Sequence, residues 1–290
     1  MNAKHMAMAL RAKMNQWVKN IDDETIATIV QQNALVTGGA LVSLLTGEEP
    51  NDYDVYFKTK ESCIAVARYY AKRWNTEHID KSQVTIKESD EGKVTAFISS
   101  KGVVAEDGES AIDDATEPKA EDAQEKDDEG KKKYRPRYIS SNAITLSDKI
   151  QIVLRFYGSV EEIHKNYDFI HCTCSYDFAD NKVNLPARAL EAIINKELYY
   201  VGSKYPLCSI IRARKFITRG WKINAGQYLK MCLQLNELNL HDIETLKDQL
   251  TGVDSAYFEQ AIRMMEERKQ ENPEFVPDNT YLFDVINRVF

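Results

Sequence analysis

Apolar residues recur along this chain at two different periods. In the opening "MNAKHMAMALRAKMNQWVKN" and in "ESCIAVARYYAKRWN" they return every three to four positions, as on a helix with one buried face. In "SQVTIKES", "KVTAFISS", "NAITLS", "KIQIVLRF" and "YDFIHCTCSYDF" they alternate or run together, which predicts strands. A short helix, "SVEEIHKN", is expected between the last two. From Pro186 onward only helical patterns follow: "PARALEAIINKE", "CSIIRARKFITRG", "AGQYLKMCLQLN", "HDIETLKDQL", "SAYFEQAIRMMEERKQ" and "YLFDVINRV". This order predicts an α+β chain, with a mixed-sheet core over residues 1–185 and an all-helical domain over 186–290. No internal repeat is found.

One stretch follows neither period. "EDGESAIDDATEPKAEDAQEKDDEGKKKYRPR" has almost no large apolar side chains to offset its ordering entropy, so a mobile acidic insertion is expected at about residues 104–135. It also changes the meaning of the net charge of -7: twelve acidic residues between Glu106 and Glu129 stand against Lys119 and Lys126, a local charge of -10 that leaves the rest at +3. A mildly basic body suits a polyanionic partner, and the insertion is expected either to compete for that surface or to remain a solvated loop. No apolar run approaches the roughly 20 residues that span a bilayer, so no membrane partner is expected. Five cysteines, with no CxxC pair and no histidine at zinc-ligand spacing, suggest a reducing compartment, the cytoplasm.

The candidate chemistry lies in "VTGGALVSLLTGEEPNDYDVYF". Gly38 and Gly39 before a short helix would expose backbone N–H groups to a phosphate, although a tight turn uses glycines in the same way. Asp52 and Asp54, two apart on an extended segment, share one face. Two carboxylates so placed repel unless a cation lies between them or one takes a proton, and Mg2+ is suited to one or two carboxylates plus substrate phosphates. Two aspartates facing solvent on an edge strand would give the same spacing.

The combination resembles the signature of the polymerase-β-like nucleotidyltransferase superfamily, in particular the branch of tRNA nucleotidyltransferases and bacterial poly(A) polymerases. Gly38, Gly39, Leu44, Leu45, Gly47, Pro50, Asp52 and Asp54 carry that resemblance. "NYDFIHCTCSYD" is similar to a second element of the branch through Asp168, Phe169, Tyr176 and Asp177. "SIIRARKFITRGWKI" is similar to a third through Arg212, Lys215, Phe216 and Arg219. The branch's Arg-Asp after the glycines is Val42-Ser43 here, its Arg-Arg before the second element is Asn166-Tyr167, and Gln151 stands on a strand that often carries an acid there.

The resemblance implies an NTP-binding enzyme using two Mg2+ or Mn2+ ions held by Asp52 and Asp54, with Asp168 as the candidate third carboxylate on a neighbouring strand or, alternatively, a ribose ligand. Gly38, Gly39, Ser43, Arg212 and Lys215 would bind the nucleotide. The reaction implied is transfer of a nucleoside monophosphate to a hydroxyl with release of pyrophosphate, the first acceptor considered being an RNA 3′ end. A protein or small-molecule acceptor remains open, as does a non-catalytic nucleotide-binding or assembly protein that kept the fold. His164 is expected on a helix surface, and His171 on the strand face opposite Asp168.

Overall fold

The structure is a computed structural model and describes residues 2–79, 83–89, 92–98, 104–105, 133–250 and 256–289. The acidic run at 106–129, and with it the expectation of a mobile insertion, lies outside the described residues. The chain divides into two compact units, the first holding the described residues up to Asn195 and the second those from Lys196.

The first unit opens with α1 (Ala3–Val18) and α2 (Glu24–Asn33). Asn2 and Asp23 cap them, their side chains accepting otherwise unsatisfied N–H groups of the first turn. β1 (Ala34–Thr37), α3 (Gly39–Thr46) and β2 (Tyr53–Phe57) follow, then α4 (Lys60–Glu77), whose Cys63, Val66, Ala67, Tyr70 and Trp74 form the buried stripe the periodicity predicts. A hairpin of β3 (Val84–Glu88) and β4 (Val94–Ile98) leads to β5 (Val104–Ala105), β6 (Pro136–Ile139), β7 (Ala143–Leu146) and β8 (Ile150–Tyr157). After α5 (Val160–His164) and one turn of 3-10 helix (Ile170–Cys172) come β9 (Ser175–Asp177), β10 (Lys182–Asn184) and α6 (Ala187–Asn195).

The described strands other than β3 and β4 form one sheet in the order β10-β9-β1-β2-β8-β7-β6-β5. Its β2–β8 pair is parallel and the remaining pairs antiparallel, which makes the sheet mixed as expected. The β7–β8 turn braces the segment that carries the aspartates. Asp148 and Lys149 both take left-handed φ, 62° and 63°, and the Lys149 carbonyl accepts the Tyr53 N–H at 2.7 Å while its ammonium reaches Glu49 and the Pro50 carbonyl.

Three expectations are corrected. "YDFIHCTCSYDF" is not a continuous strand: Thr173 directs both its N–H and its hydroxyl to the Ile170 carbonyl, closing a 3-10 turn, and only Ser175–Asp177 pairs. The helix after Pro186 belongs to the first unit, because α6 packs on α3 and on that turn, so the division falls at 195/196 rather than 185/186. The far end of the expected insertion is ordered: Tyr134 and Arg135 are buried, and backbone bonds tie them to Ser147 and Asp148.

The second unit is helical throughout its described elements: α7 (Pro206–Thr218), α8 (Ala225–Leu235), α9 (Ile243–Leu250), α10 (Ala256–Glu271) and α11 (Asn279–Val289). Pro206 opens α7, where its missing N–H costs nothing. Ile243, Met265 and Val285 form a buried cluster joining α9, α10 and α11. Among the described residues no helix is long and apolar enough to cross a membrane.

Candidate nucleotide site

β1 ends at Thr37, and Gly38 turns the chain into α3 with φ 91° and ψ -144°, a conformation essentially reserved for glycine. A Cβ on Gly38 would stand 3.3 Å from Asp54 Oδ2 and 3.5 Å from the Tyr167 hydroxyl. The N-terminus of α3, with its unsatisfied N–H groups, therefore begins beside a carboxylate. Gly39 differs: among the described residues, a Cβ there would meet nothing within 4 Å. Ser43 is half-buried one turn further along, and its carbonyl receives the Gly47 and Glu48 N–H groups that end the helix.

Asp52 precedes β2 and Asp54 lies within it, both half-buried. Next to Asp54 on β2, Tyr53 alternates to the other side, where the Lys13 ammonium stands 5.4 Å from its ring centre. Asp54 pairs in register with Gln151 of β8. The neighbouring strand thus offers an amide, not a third carboxylate, next to Asp54.

Asp168 does not take up that role. It lies in a bend after α5, not on a strand, is 5% exposed, and acts electrostatically on His171. Among the described residues no group of three or more His, Cys, Asp or Glu side chains is placed to hold a metal ion, so Asp52, Asp54 and Asp168 do not form the expected cluster. Asp54, a half-buried carboxylate beside a helix N-terminus with Asp52 two residues before it, still suits a divalent cation that brings phosphate oxygens with it. His171 is fully buried, with Nε2 3.3 Å from the Cys172 sulfur, and desolvation pushes its imidazole down to about 4 while Asp168 pulls the other way. Arg212 and Lys215 stand three residues apart on α7 in the second unit, half-buried and each engaged with neighbours.

Sequence reasoning missed the residues behind Gly38. His164, expected at the surface, is half-buried, and its Nε2 lies 2.8 Å from the Thr37 hydroxyl. Thr37 has one proton and donates it to the Cys174 carbonyl at 2.7 Å, so His164 is assigned as the donor to Thr37. Burial lowers the His164 pKa, with Glu161 opposing, consistent with a neutral ring. Tyr167 packs 5.0 Å from that ring and 6.3 Å from Tyr56. Burial first, then Tyr56 and Asp54, hold its phenol well above the usual value. The one sequence signal was the departure itself, tyrosine where the resembling branch has arginine.

A glycine-capped helix set against a D-x-D strand in a mixed sheet lies at the centre of this α+β chain. Solved structures of CCA-adding enzymes are similar to it at low identity: one complexed with CTP (14% identical, 96% of this chain, 57% of that chain, TM-score 0.44) and the Thermotoga maritima enzyme complexed with tRNA (13%, 92%, 57%, TM-score 0.40). The chain belongs to the Gad2 family, described as "Gabija anti-defense 2 family protein", which matches residues 8–196. It is 21% identical over 268 residues to the "Gabija anti-defense 2" protein of Bacillus phage SPbetaL7, a match covering 91% of this chain and 52% of the relative. The chain thus spans about half the length of that relative.

Proposed function

We propose that this protein binds a nucleoside triphosphate with a divalent cation and transfers the nucleoside monophosphate to a hydroxyl on a protein of the Gabija defence, disabling it. The observation that carries the reading is the meeting of helix N-terminus and carboxylate at Gly38, 3.3 Å from its Cβ position to Asp54 Oδ2. It brings together a place for anionic phosphate and a place for the cation that accompanies it. A defence protein is favoured as acceptor over an RNA end for two reasons. The family description and the relative's name point to an anti-defence action, and Val42-Ser43 and Asn166-Tyr167 replace the charged pairs of the RNA-tailing branch.

In this reading Asp52 and Asp54 hold Mg2+ or Mn2+, which supplies charge neutralisation for the triphosphate and a lowered pKa for the attacking hydroxyl. The first N–H groups of α3 receive phosphate oxygens, and Gly39 leaves them room. The acceptor oxygen bonds to the α-phosphorus, the bond to the bridging oxygen breaks, pyrophosphate departs, and the hydroxyl proton passes to a carboxylate or to water.

A second reading, a nucleotide-binding protein without transfer, is favoured by Gln151 beside Asp54. Thermal unfolding separates the two at the binding stage. Mg2+ and ATP together are expected to raise the melting temperature while neither does alone, and Asp52→Asn with Asp54→Asn is expected to abolish the rise. Stabilisation by ATP in EDTA, equal in the double variant, would favour the second reading.

A further inference from the structure

β8 carries more than the amide next to Asp54. Its Ile150, Ile152 and Leu154 are buried on one face of the sheet, and Gln151 and Val153 alternate to the other, where Val153 packs against the cluster of Leu35, Tyr56 and Ile163. Gln151 lies nearer the start of the strand and is half-buried. Asp54 pairs in register with Gln151, Gln151 with Thr145 of β7, and Thr145 with Tyr138 of β6. Residues opposite one another in a sheet present their side chains on the same face, so these four make one polar row across β2, β8, β7 and β6. All four are half-buried, and among the described residues neither the Gln151 amide group nor the Thr145 hydroxyl has a hydrogen bond to the protein. Two features say what the row is for. The first is its side: β1 and β8 flank β2, so Gly38 and the N-terminus of α3 lie on one side of Asp54 and the row runs off on the other. With the triphosphate at α3, an in-line displacement brings the attacking hydroxyl from the opposite direction, over β8. The second is its chemistry. The row holds no cation to meet an RNA phosphate, while a glutamine amide offers the donor and acceptor pair that a peptide backbone matches.

We propose that Gln151 and Thr145 hold an extended segment of the acceptor protein, the Gln151 amide bonding its backbone beside the hydroxyl to be modified, so that the acceptor enters over β8, β7 and β6. The row spans three strand spacings of about 4.8 Å, the reach of about four extended residues. This rests on the transfer reading above and adds to it the acceptor side of the site, which the D-x-D and glycine motifs do not include. An amide takes no proton, so the hydroxyl proton still passes to a carboxylate or to water.

The test compares full-length wild type, Gln151→Ala and Thr145→Val, the last keeping the shape and strand preference of threonine. Each is assayed with α-labelled ATP, Mg2+ and purified Gabija proteins so that KM for the protein acceptor is obtained apart from kcat, and affinity for ATP with Mg2+ is measured by calorimetry without acceptor. The expected result is an acceptor KM about fivefold or more higher in each variant, with ATP affinity within about twofold of wild type. Unchanged acceptor KM would overturn the proposal and leave the transfer reading intact. So would weaker ATP binding with acceptor KM unchanged, which would put the row on the nucleotide side. Transfer by wild type to total RNA alone, impaired in both variants, would overturn the peptide occupant. A wild type that binds ATP and transfers to neither acceptor would overturn the transfer reading itself, and this proposal with it.

Discussion

Gly38 and Gly39 are adjacent and identical in sequence, yet they are glycine for different reasons. At Gly38 the backbone demands it: φ is 91°, and a side chain would crowd Asp54 and Tyr167. Gly38→Ala is therefore expected to lower unfolding stability by about 1–3 kcal/mol, measured by urea titration. Gly39 is helical with open space before it, so Gly39→Ala is expected to keep or slightly raise stability while weakening ATP binding, because the added methyl enters the cradle. A variant that binds ATP as wild type does would make the pair a turn and nothing more. His171 gives a pH test. Its folded pKa lies below its unfolded value, about 4 against 6.5, so the unfolded chain binds the extra proton between them. Stability should be fully present above pH 6.5 and fall as pH drops toward 4, by up to about 3 kcal/mol, and His171→Gln should flatten that slope in urea titrations at each pH. The glycines and aspartates were legible because their geometry is set within a few residues of sequence. Tyr167 and His164 were not, since their place behind Gly38 depends on the chain returning more than a hundred residues later.

The elements divide in the same way. Long helices such as α4 and α10, and the alternating strands β3 and β8, carry enough periods to be read directly. β1 has four residues, all buried, and so shows no alternation. The 3-10 turn at Ile170–Cys172 was hidden because side-chain bonds from Thr173 and Thr37, not apolar spacing, draw its backbone out of the sheet. α5 is short, and its stability rests on a capping box in which Ser159 accepts the Glu162 N–H and Glu162 accepts the Ser159 N–H at 2.7 Å. Ser159→Ala is expected to cost about 1 kcal/mol in urea unfolding.

On the scale of the whole molecule, the family match over residues 8–196 ends where the first unit ends, while the match to the phage relative runs over 268 residues and so extends into the second unit. A chain ending at residue 196 is expected to unfold cooperatively, which far-UV circular dichroism on heating would record; a non-cooperative melt would contradict the division. Net charge illustrates what composition conceals, since the whole chain is acidic while its body outside 106–129 is mildly basic. The central claim is nucleotidyl transfer at Asp52 and Asp54, and one measurement meets it most directly. Purified full chain is incubated with each α-labelled NTP and Mg2+ or Mn2+, together with Gabija proteins or total RNA, beside Asp52→Asn/Asp54→Asn. Label is expected on a Gabija protein, and from the intact chain only. Label confined to RNA would replace the acceptor, and no transfer to any acceptor by a folded chain that binds ATP with metal would contradict the claim.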